Sequence, residues 1–272
     1  MRVIDLTDEH RGLFSICLED WSAEAVEAGP GRACWVERYL GRGLRAKLAV
    51  DDAGTVGGMI QYLPIEQWPI LGEGLYFIPC IWIPGRRQGH GDFRGQGVGQ
   101  ALLAAAEADA RERGALGMAA WGVRFPVWMR ASWYRKQGYR RADRQGIAVL
   151  MWKPFTSTAR APRWLPPGDC LPAPVPGKVN VVVFNAAWCT AGNLTATRAQ
   201  RAAAAFGSRV AYQEIDTSER AAAVAWGQTD ALYVDGKAVR TGPPPSYEKI
   251  RQAIARRVRR LPAEAAGGAP AA

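Results

Sequence analysis

The residues best suited to chemistry lie in Arg94-Gly95-Gln96-Gly97-Val98-Gly99-Gln100, which carries three glycines at alternate positions and runs into an alanine-rich stretch ending at Arg113. With no Cβ at Gly95, Gly97 and Gly99 the backbone can wrap closely around an anion, and N–H groups at a helix start point toward it. That is the makeup of a pyrophosphate cradle. A P-loop would need Gly-Lys-Ser/Thr after four intervening residues, and a dinucleotide fingerprint would need Gly-x-Gly-x-x-Gly at the end of a first strand; neither is present. Upstream, Leu75 to Ile83 is apolar on both faces, as a central strand should be. Two more reactive side chains stand out: Tyr134, in a run from Ala131 to Tyr139, and Cys189, in Ala186-Ala187-Trp188-Cys189-Thr190-Ala191-Gly192.

In Arg94-x-x-Gly97-x-Gly99 the chain resembles the GCN5-related N-acetyltransferase (GNAT) superfamily, whose cofactor loop reads Gln/Arg-x-x-Gly-x-Gly/Ala. Tyr134, followed by three residues, Gly138 and Tyr139, resembles the superfamily's late helix. The resemblance implies an α/β (α+β) fold, a mixed central sheet flanked by helices, with acetyl-coenzyme A as co-substrate and an amine as acceptor. It implies that backbone amides of Gly95, Gln96, Gly97, Val98, Gly99 and Gln100 hold the pyrophosphate. Arg94, with Arg86 or Arg87, would add charge. Main-chain groups of Cys80, Ile81, Trp82 and Ile83 would pair with the pantetheine arm, and a backbone N–H there can polarise the thioester carbonyl. The first two helices would roof the acceptor, placing Trp35, Glu37 and Tyr39 near it.

Acetyl transfer to an amine needs a proton for the departing thiolate and a neutral amine. Tyr134 is the candidate general acid: a phenol near 10 and a thiol near 8.5 differ by roughly 2 kcal/mol, so transfer in contact is feasible. A lysine-like ammonium is neutral in only about one molecule in 2500 at pH 7, a penalty of about 4.6 kcal/mol, so a base is required. Glu73, at the head of the central strand, is the candidate, with Glu66 and Asp92 as alternatives. Cys80, a strand cysteine, is read as packing.

These groups need scaffolds, and 272 residues suffice for two domains. Leu13, Phe14, Cys17 and Trp21 have helical spacing; Gly31 to Leu40 forms a second helical stretch; Leu44 to Val50 and Thr55 to Leu63 form a hairpin across Asp51-Asp52-Ala53-Gly54. Ala101 to Arg113 is the cofactor helix, Gly117 to Val123 the strand that diverges from the central one, Phe125 to Gln137 the helix bearing Tyr134, and Ile147 to Lys153 a closing strand. The domains are read as 1–155, a proline-rich linker 156–177, a second domain 178–261 and a disordered tail 262–272.

The second domain opens with the strand Val179 to Asn185, continues with a helix to Phe206, a strand from Val210 to Ile215 and a hairpin at Leu232 to Gly236, and closes with an amphipathic helix from Tyr247 to Leu261. With Trp188-Cys189 between first strand and helix it resembles a thioredoxin fold, and the two-domain combination resembles bacterial acetyltransferases with a YoaP-like C-terminal region. The second cysteine of a dithiol is replaced by Gly192, and Gln228-Thr229-Asp230 stands where a cis-proline belongs. A helix N-terminus lowers a thiol's pKa, so Cys189 offers an alternative: a thiol-based sensor or binding protein that holds coenzyme A without turnover.

Composition narrows the remaining classes. Five widely spaced cysteines without Cys-x-x-Cys, and two histidines, argue against a disulfide framework or a metal site. The net charge of +10 is read as a solvated face or attraction for an anionic cofactor, with no nucleic-acid motif. The charged start, Met1 to His10, and the absence of a run of about 20 apolar residues lead to the expectation of a soluble, cytoplasmic protein without a membrane partner; oligomeric state is left open.

Overall fold

The computed structural model describes residues 1–85, 89–125, 129–166, 168 and 170–262. The chain runs β1 (Arg2–Asp5), α1 (Arg11–Ser15), α2 (Ala23–Leu40), β2 (Arg45–Val50), β3 (Val56–Pro64), a short β4 (Ile70–Leu71), β5 (Leu75–Trp82), α3 (Val98–Glu112), β6 (Gly117–Val123), α4 (Ala131–Lys136), β7 (Arg140–Gln145) and β8 (Ala148–Pro154). After β9 (Arg163–Trp164) come β10 (Val179–Asn185), α5 (Thr190–Ala204), β11 (Val210–Asp216), α6 (Arg220–Trp226), β12 (Ala231–Val234), β13 (Lys237–Val239) and α7 (Tyr247–Val258).

One sheet has the order β1-β2-β3-β5-β6-β8-β7, antiparallel except between β5 and β6. Its strands alternate so that both faces are apolar. Leu48, Met59, Leu63 and Phe77 pack toward α1 and α2; Ile60, Tyr62, Ile78 and Met118 pack toward α3 and α4. The second sheet, β11-β10-β12-β13, has β10 and β11 parallel and the other pairs antiparallel. Val181, Val183 and Leu232 meet Ala199, Ala202, Ile250 and Ile254 from α5 and α7 in its core. This is the mixed α/β architecture expected, with a second, smaller α/β domain.

Local chemistry explains where the elements depart from the sequence reading. The first helix stops at Ser15, because Cys17 and Leu18 adopt left-handed conformations (φ 54° and 62°) that no helix continues through. The second begins eight residues before Gly31, at Ala23, capped by Ser22, and carries Pro30 inside it. Its Gly29-Pro30-Gly31 is a site of close approach: a Cβ at Gly29 would lie 2.8 Å from Ile16, and one at Gly31 3.5 Å from Asn193. The arginine-rich 140–145 is an edge strand and 220–226 a helix, neither visible as an apolar pattern. The helix bearing Tyr134 spans only Ala131–Lys136; 126–128 lie outside the described residues, as do Arg86, Arg87 and the tail from 263. Within the proline-rich stretch, β9 pairs with β4, and the Trp164 N–H donates to Asp143 at 2.9 Å, so this segment is fastened to the first domain. No helix among the described residues is long and apolar enough to cross a membrane.

Helix α2 lies between the first sheet and the second domain. Tyr39 donates its hydroxyl to the Ser218 carbonyl at 2.6 Å and stacks on Trp35; Arg198 pairs with Glu24, Arg201 with Glu27, and Arg38 and Arg42 with Glu219. These surface pairs are each worth about 0–1 kcal/mol. The stronger tie is Arg32, wholly buried, whose Nε donates to the Trp188 carbonyl at 2.9 Å, Nη1 to the Phe14 carbonyl and Nη2 to Gln61 Oε1 at 2.7 Å. Arg32→Met removes the donor from three buried acceptors, each costing about 1–3 kcal/mol when left unmade. Urea unfolding is expected to show a loss of at least about 3 kcal/mol, and limited proteolysis to release the second domain.

Candidate functional site

The centre of the site is an irregularity in β5. Between Gln61↔Cys80 and Leu63↔Phe77, two steps on β3 face three on β5, so the strand bulges at Ile78-Pro79. A proline inside a sheet is tolerated at such a place because it has no N–H to offer the ladder. The pairing of β5 with β6 starts at Leu75↔Gly117 and ends at Ile78↔Ala120; beyond it the strands part. Trp121 on β6 props the gap, donating its indole N–H to the Pro79 carbonyl at 2.7 Å. The main-chain groups of Cys80, Ile81 and Trp82 on that side therefore have no ladder partner on β6.

On the α3 face a groove of about 660 Å³ runs from this gap to the start of α3. Ile81, Trp82, Ile83, Arg94, Gly95, Gly97, Val98, Gly99 and Gln100 of the sequence-derived set line it, together with Phe93, Met129, Arg130, Trp133 and Tyr134. Cys80 turns its side chain into the opposite core, and the Gln96 side chain is held back by the Asp92 carbonyl at 2.6 Å. Gly97 is the residue before α3 at φ +79°, a conformation that costs other residues about 1–2 kcal/mol. The first helical bond from this turn is Ala101 N–H to the Gly97 carbonyl. The N–H groups of Val98, Gly99 and Gln100 have no acceptor within the helix, and among the described residues no side chain caps them. Arg94 sits beside them, held by Asp92 at 3.2 Å. Such a terminus suits a pyrophosphate.

Tyr134 is brought to the gap from α4. It is fully buried between Trp133 and Tyr139, lies within electrostatic reach of Cys80, and its hydroxyl has no hydrogen-bond partner among the described residues. Burial pushes its phenol well above the ordinary value, so it stays protonated. Glu73 is not brought there. It is exposed, before the paired end of β5 and seven residues from Cys80, roughly 20 Å along an extended strand. Glu66 is spent on the Gly74 N–H at 2.6 Å, and Asp92 on Arg94.

A partly buried carboxylate the sequence reading did not consider is Glu19, which follows the left-handed Cys17-Leu18 pair and lines neither the groove nor the cavity between the domains. It is within electrostatic reach of Cys80, and burial raises its carboxyl above the usual range. The sequence reading missed it because a turn with two non-glycine left-handed residues has no residue-type signature. Trp35 and Tyr39 are buried against the second domain, and Glu37 pairs with Arg11, so none of the three lines the groove.

On the opposite face, a cavity of about 290 Å³ lies between the two domains, walled by Trp68, Phe77, Trp121 and Trp164 from one and Phe184, Trp188, Cys189 and Asp230 from the other. Cys189 is the residue before α5, as expected, but burial pushes its thiol up to about 12, outweighing the helix start and the Ala191 N–H. Its surroundings therefore oppose the low-pKa thiolate that the helix start alone would favour. Cys80 is likewise held above the ordinary thiol range by burial.

Residues 6–139 match the sequence model of the acetyltransferase (GNAT) family. No curated protein matches the chain in sequence. Solved structures are similar over the same region: the PaiA N-acetyltransferase of Thermoplasma acidophilum in complex with coenzyme A, 18% identical, covers 57% of this chain and 100% of that one at a TM-score of 0.42. YhbS of Escherichia coli in complex with coenzyme A, 15% identical, covers 60% and 89% at 0.43, and the ribosomal-protein-alanine N-acetyltransferase of Brucella melitensis, 20% identical, covers 57% and 100% at 0.43.

Thiol chemistry separates the two readings of Cys189. Cys34 and Cys170 are exposed. Alkylation by iodoacetamide at neutral pH, followed by mass spectrometry, is expected to label these two and to leave Cys80 and Cys189 untouched until denaturant is added; rapid labelling of Cys189 would restore the reactive-thiol reading.

Proposed function

We propose that the protein is an acetyl-coenzyme A dependent N-acetyltransferase acting on a primary amine, on the premise that residues 6–139 form an acetyltransferase (GNAT) domain. The observation that carries this reading is the groove itself, with free helix-start N–H groups at one end and the unpartnered Tyr134 hydroxyl at the other, beside two parted strands. Acetyl-coenzyme A, when bound, supplies the acetyl group as a thioester.

The chain's own residues then divide the work. The N–H groups of Val98, Gly99 and Gln100 with Arg94 hold the pyrophosphate, and the edge of β5 beyond Pro79 offers main-chain groups to the arm. Tyr134 donates a hydrogen bond to the sulfur as it gains charge. Its raised pKa makes complete proton transfer harder than an ordinary phenol's, but the same burial raises a thiol as well, so the gap between the two stays small. Glu19 takes the proton from the amine, a task for which a carboxyl raised by burial is better matched than an exposed one.

We read the second domain as thioredoxin-like, and YoaP-like in combination with the first. The β-α-β-α-β-β-α succession with strand order β11-β10-β12-β13, and Trp188-Cys189 between first strand and helix, support it. With Gly192 in place of a second thiol it has no dithiol cycle.

Two outcomes test the assignment. Tyr134→Phe is expected to bind acetyl-coenzyme A like the wild type by calorimetry while thiol release falls roughly 10²-fold, the scale of a lost acid–base group; unchanged release would remove Tyr134 from the chemistry. For Glu19 only the deprotonated form accepts a proton, so kcat/KM should rise with pH through a value above the usual glutamate range of about 4.3. Glu19→Gln should abolish that limb and lower the plateau, and a variant that keeps the same pH profile would exclude Glu19 as the base.

A further inference from the structure

The cavity between the domains has a composition that selects a ligand. Six aromatic rings line it, Trp68, Phe77, Trp121 and Trp164 opposite Phe184 and Trp188, some of them locked edge to face: Trp68 with Trp188 at 5.2 Å and Phe184 with Trp226 at 5.6 Å. At about 290 Å³ it stands at the small end of ligand pockets. Among its lining residues there is no lysine, arginine or histidine; the ionisable groups are Asp230 and the protonated Cys189.

Asp230 occupies space that a dithiol enzyme would fill with sulfur. A Cβ at Gly192 would lie 2.7 Å from Asp230 Oδ1, so the missing side chain there is what admits the carboxylate. The Trp188 indole N–H donates to Oδ2 at 2.8 Å and the Ala186 N–H to Oδ1 at 3.2 Å, fixing its orientation. Each oxygen keeps a further lone pair. Across the cavity the Trp164 indole N–H has no partner among the described residues.

Position ties this cavity to the reacting centre. Trp121 lines it and also props the gap between β5 and β6 through Pro79. Cys189 on the cavity wall is within electrostatic reach of both Asp230 and Cys80. The groove and the cavity share no lining residue, and Trp121, which walls the cavity and bonds Pro79 where the strands part, stands between them.

We propose that this cavity is the acceptor pocket, built jointly by the two domains, and that it takes a small aromatic or arylalkyl primary amine bound as its ammonium at Asp230 and enclosed by the indole and phenyl rings. The assignment of substrate class rests on the acetyltransferase reading above. Aromatic faces attract a cation and a flat apolar body alike. An amino acid is disfavoured, since no cationic side chain among the lining residues receives its carboxylate, and a long polyamine would leave further ammonium groups among rings without a counter-charge.

The experiment uses the full chain. Tryptophan fluorescence, without cofactor, follows titration with 2-phenylethylamine, its uncharged isostere 2-phenylethanol, and phenylalanine; thiol release from acetyl-coenzyme A is then measured with the two amines. The amine is expected to bind at least tenfold tighter than the alcohol and to be acetylated at least tenfold more efficiently than phenylalanine. Asp230→Asn should erase the preference for the amine while leaving the alcohol's affinity, and so the fold, unchanged, and should raise KM more than it lowers kcat. Should that variant fail to fold, Gly192→Ala, which keeps the carboxylate but displaces it, is expected to weaken the amine selectively. Equal binding of amine and alcohol by the wild type, or an undiminished preference in the folded Asp230→Asn or in Gly192→Ala, overturns the pocket assignment. If acetyl-coenzyme A itself fails to bind while the amine preference holds, the acetyltransferase reading falls and the ammonium site stands.

Discussion

A single guanidinium, Arg32, holds the two halves of the site in register. It is sealed from solvent, and its hydrogen bonds go to two carbonyls and an amide oxygen, with no salt bridge among the described residues. A buried cation without a carboxylate is costly unless every donor is used by an oriented dipole, which makes its partners' positions nearly obligatory. One partner, Gln61, is paired with Cys80 across the bulge; another, the Phe14 carbonyl, lies just before the left-handed turn that presents Glu19; the third belongs to Trp188, beside Cys189. The helix that carries Arg32 thus fixes the parted strand, the turn before Glu19 and the second domain's aromatic wall at once.

The other constraint is the proline in β5. A strand that stayed in register would pair with β6 to its end and leave no opening, whereas the extra residue at Ile78-Pro79 turns the chain outward after only four pairs with β6. Trp121 then serves twice, as a prop whose indole N–H holds the Pro79 carbonyl and as part of the cavity wall. Packing alternation shows the same step: Phe77 and Cys80, three apart, point to one face of the sheet, where strict alternation would place them on opposite faces.

How far this was legible in the sequence follows from which signals are local. The glycine loop and the strand and helix flanking it are set by residue type within a dozen positions, and they occur where the residues indicated, Gly97 before α3 and Ile81 to Ile83 in the groove. Glu73 was chosen for its place beside the strand, but proximity along an extended chain is not proximity in space, and it falls at the wrong end. Glu19 and Asp230 reach the site through folding events of long range: a strained turn in one case, a glycine's missing side chain in the other. The same is true of Cys189, where the helix start was read correctly and its effect was reversed by a burial that only domain docking creates. Arg140–Gln145 gave no strand signal since edge strands show their polar face, and the second helix was read only from Gly31, whereas it runs through Gly29-Pro30-Gly31, whose small size its neighbours Ile16 and Asn193 need.

The buried titratable groups in and beyond the cavity share one electrical character, and it bears on the hardest step of the chemistry. Burial raises the carboxyls of Glu19 and Asp230 and the thiols of Cys80 and Cys189, each displaced toward its uncharged form. The same low-dielectric surroundings act in the opposite direction on a cation, drawing an ammonium's pKa down. A carboxyl moving up and an ammonium moving down converge, so passing a proton between them costs less than the roughly 8 kcal/mol that their ordinary values near 10.4 and 4.3 would set. Docking the second domain therefore does more than wall off a cavity. By excluding water from a cavity that holds one carboxyl, Asp230, it brings a protonated amine that would enter closer to the neutral nucleophile that must react.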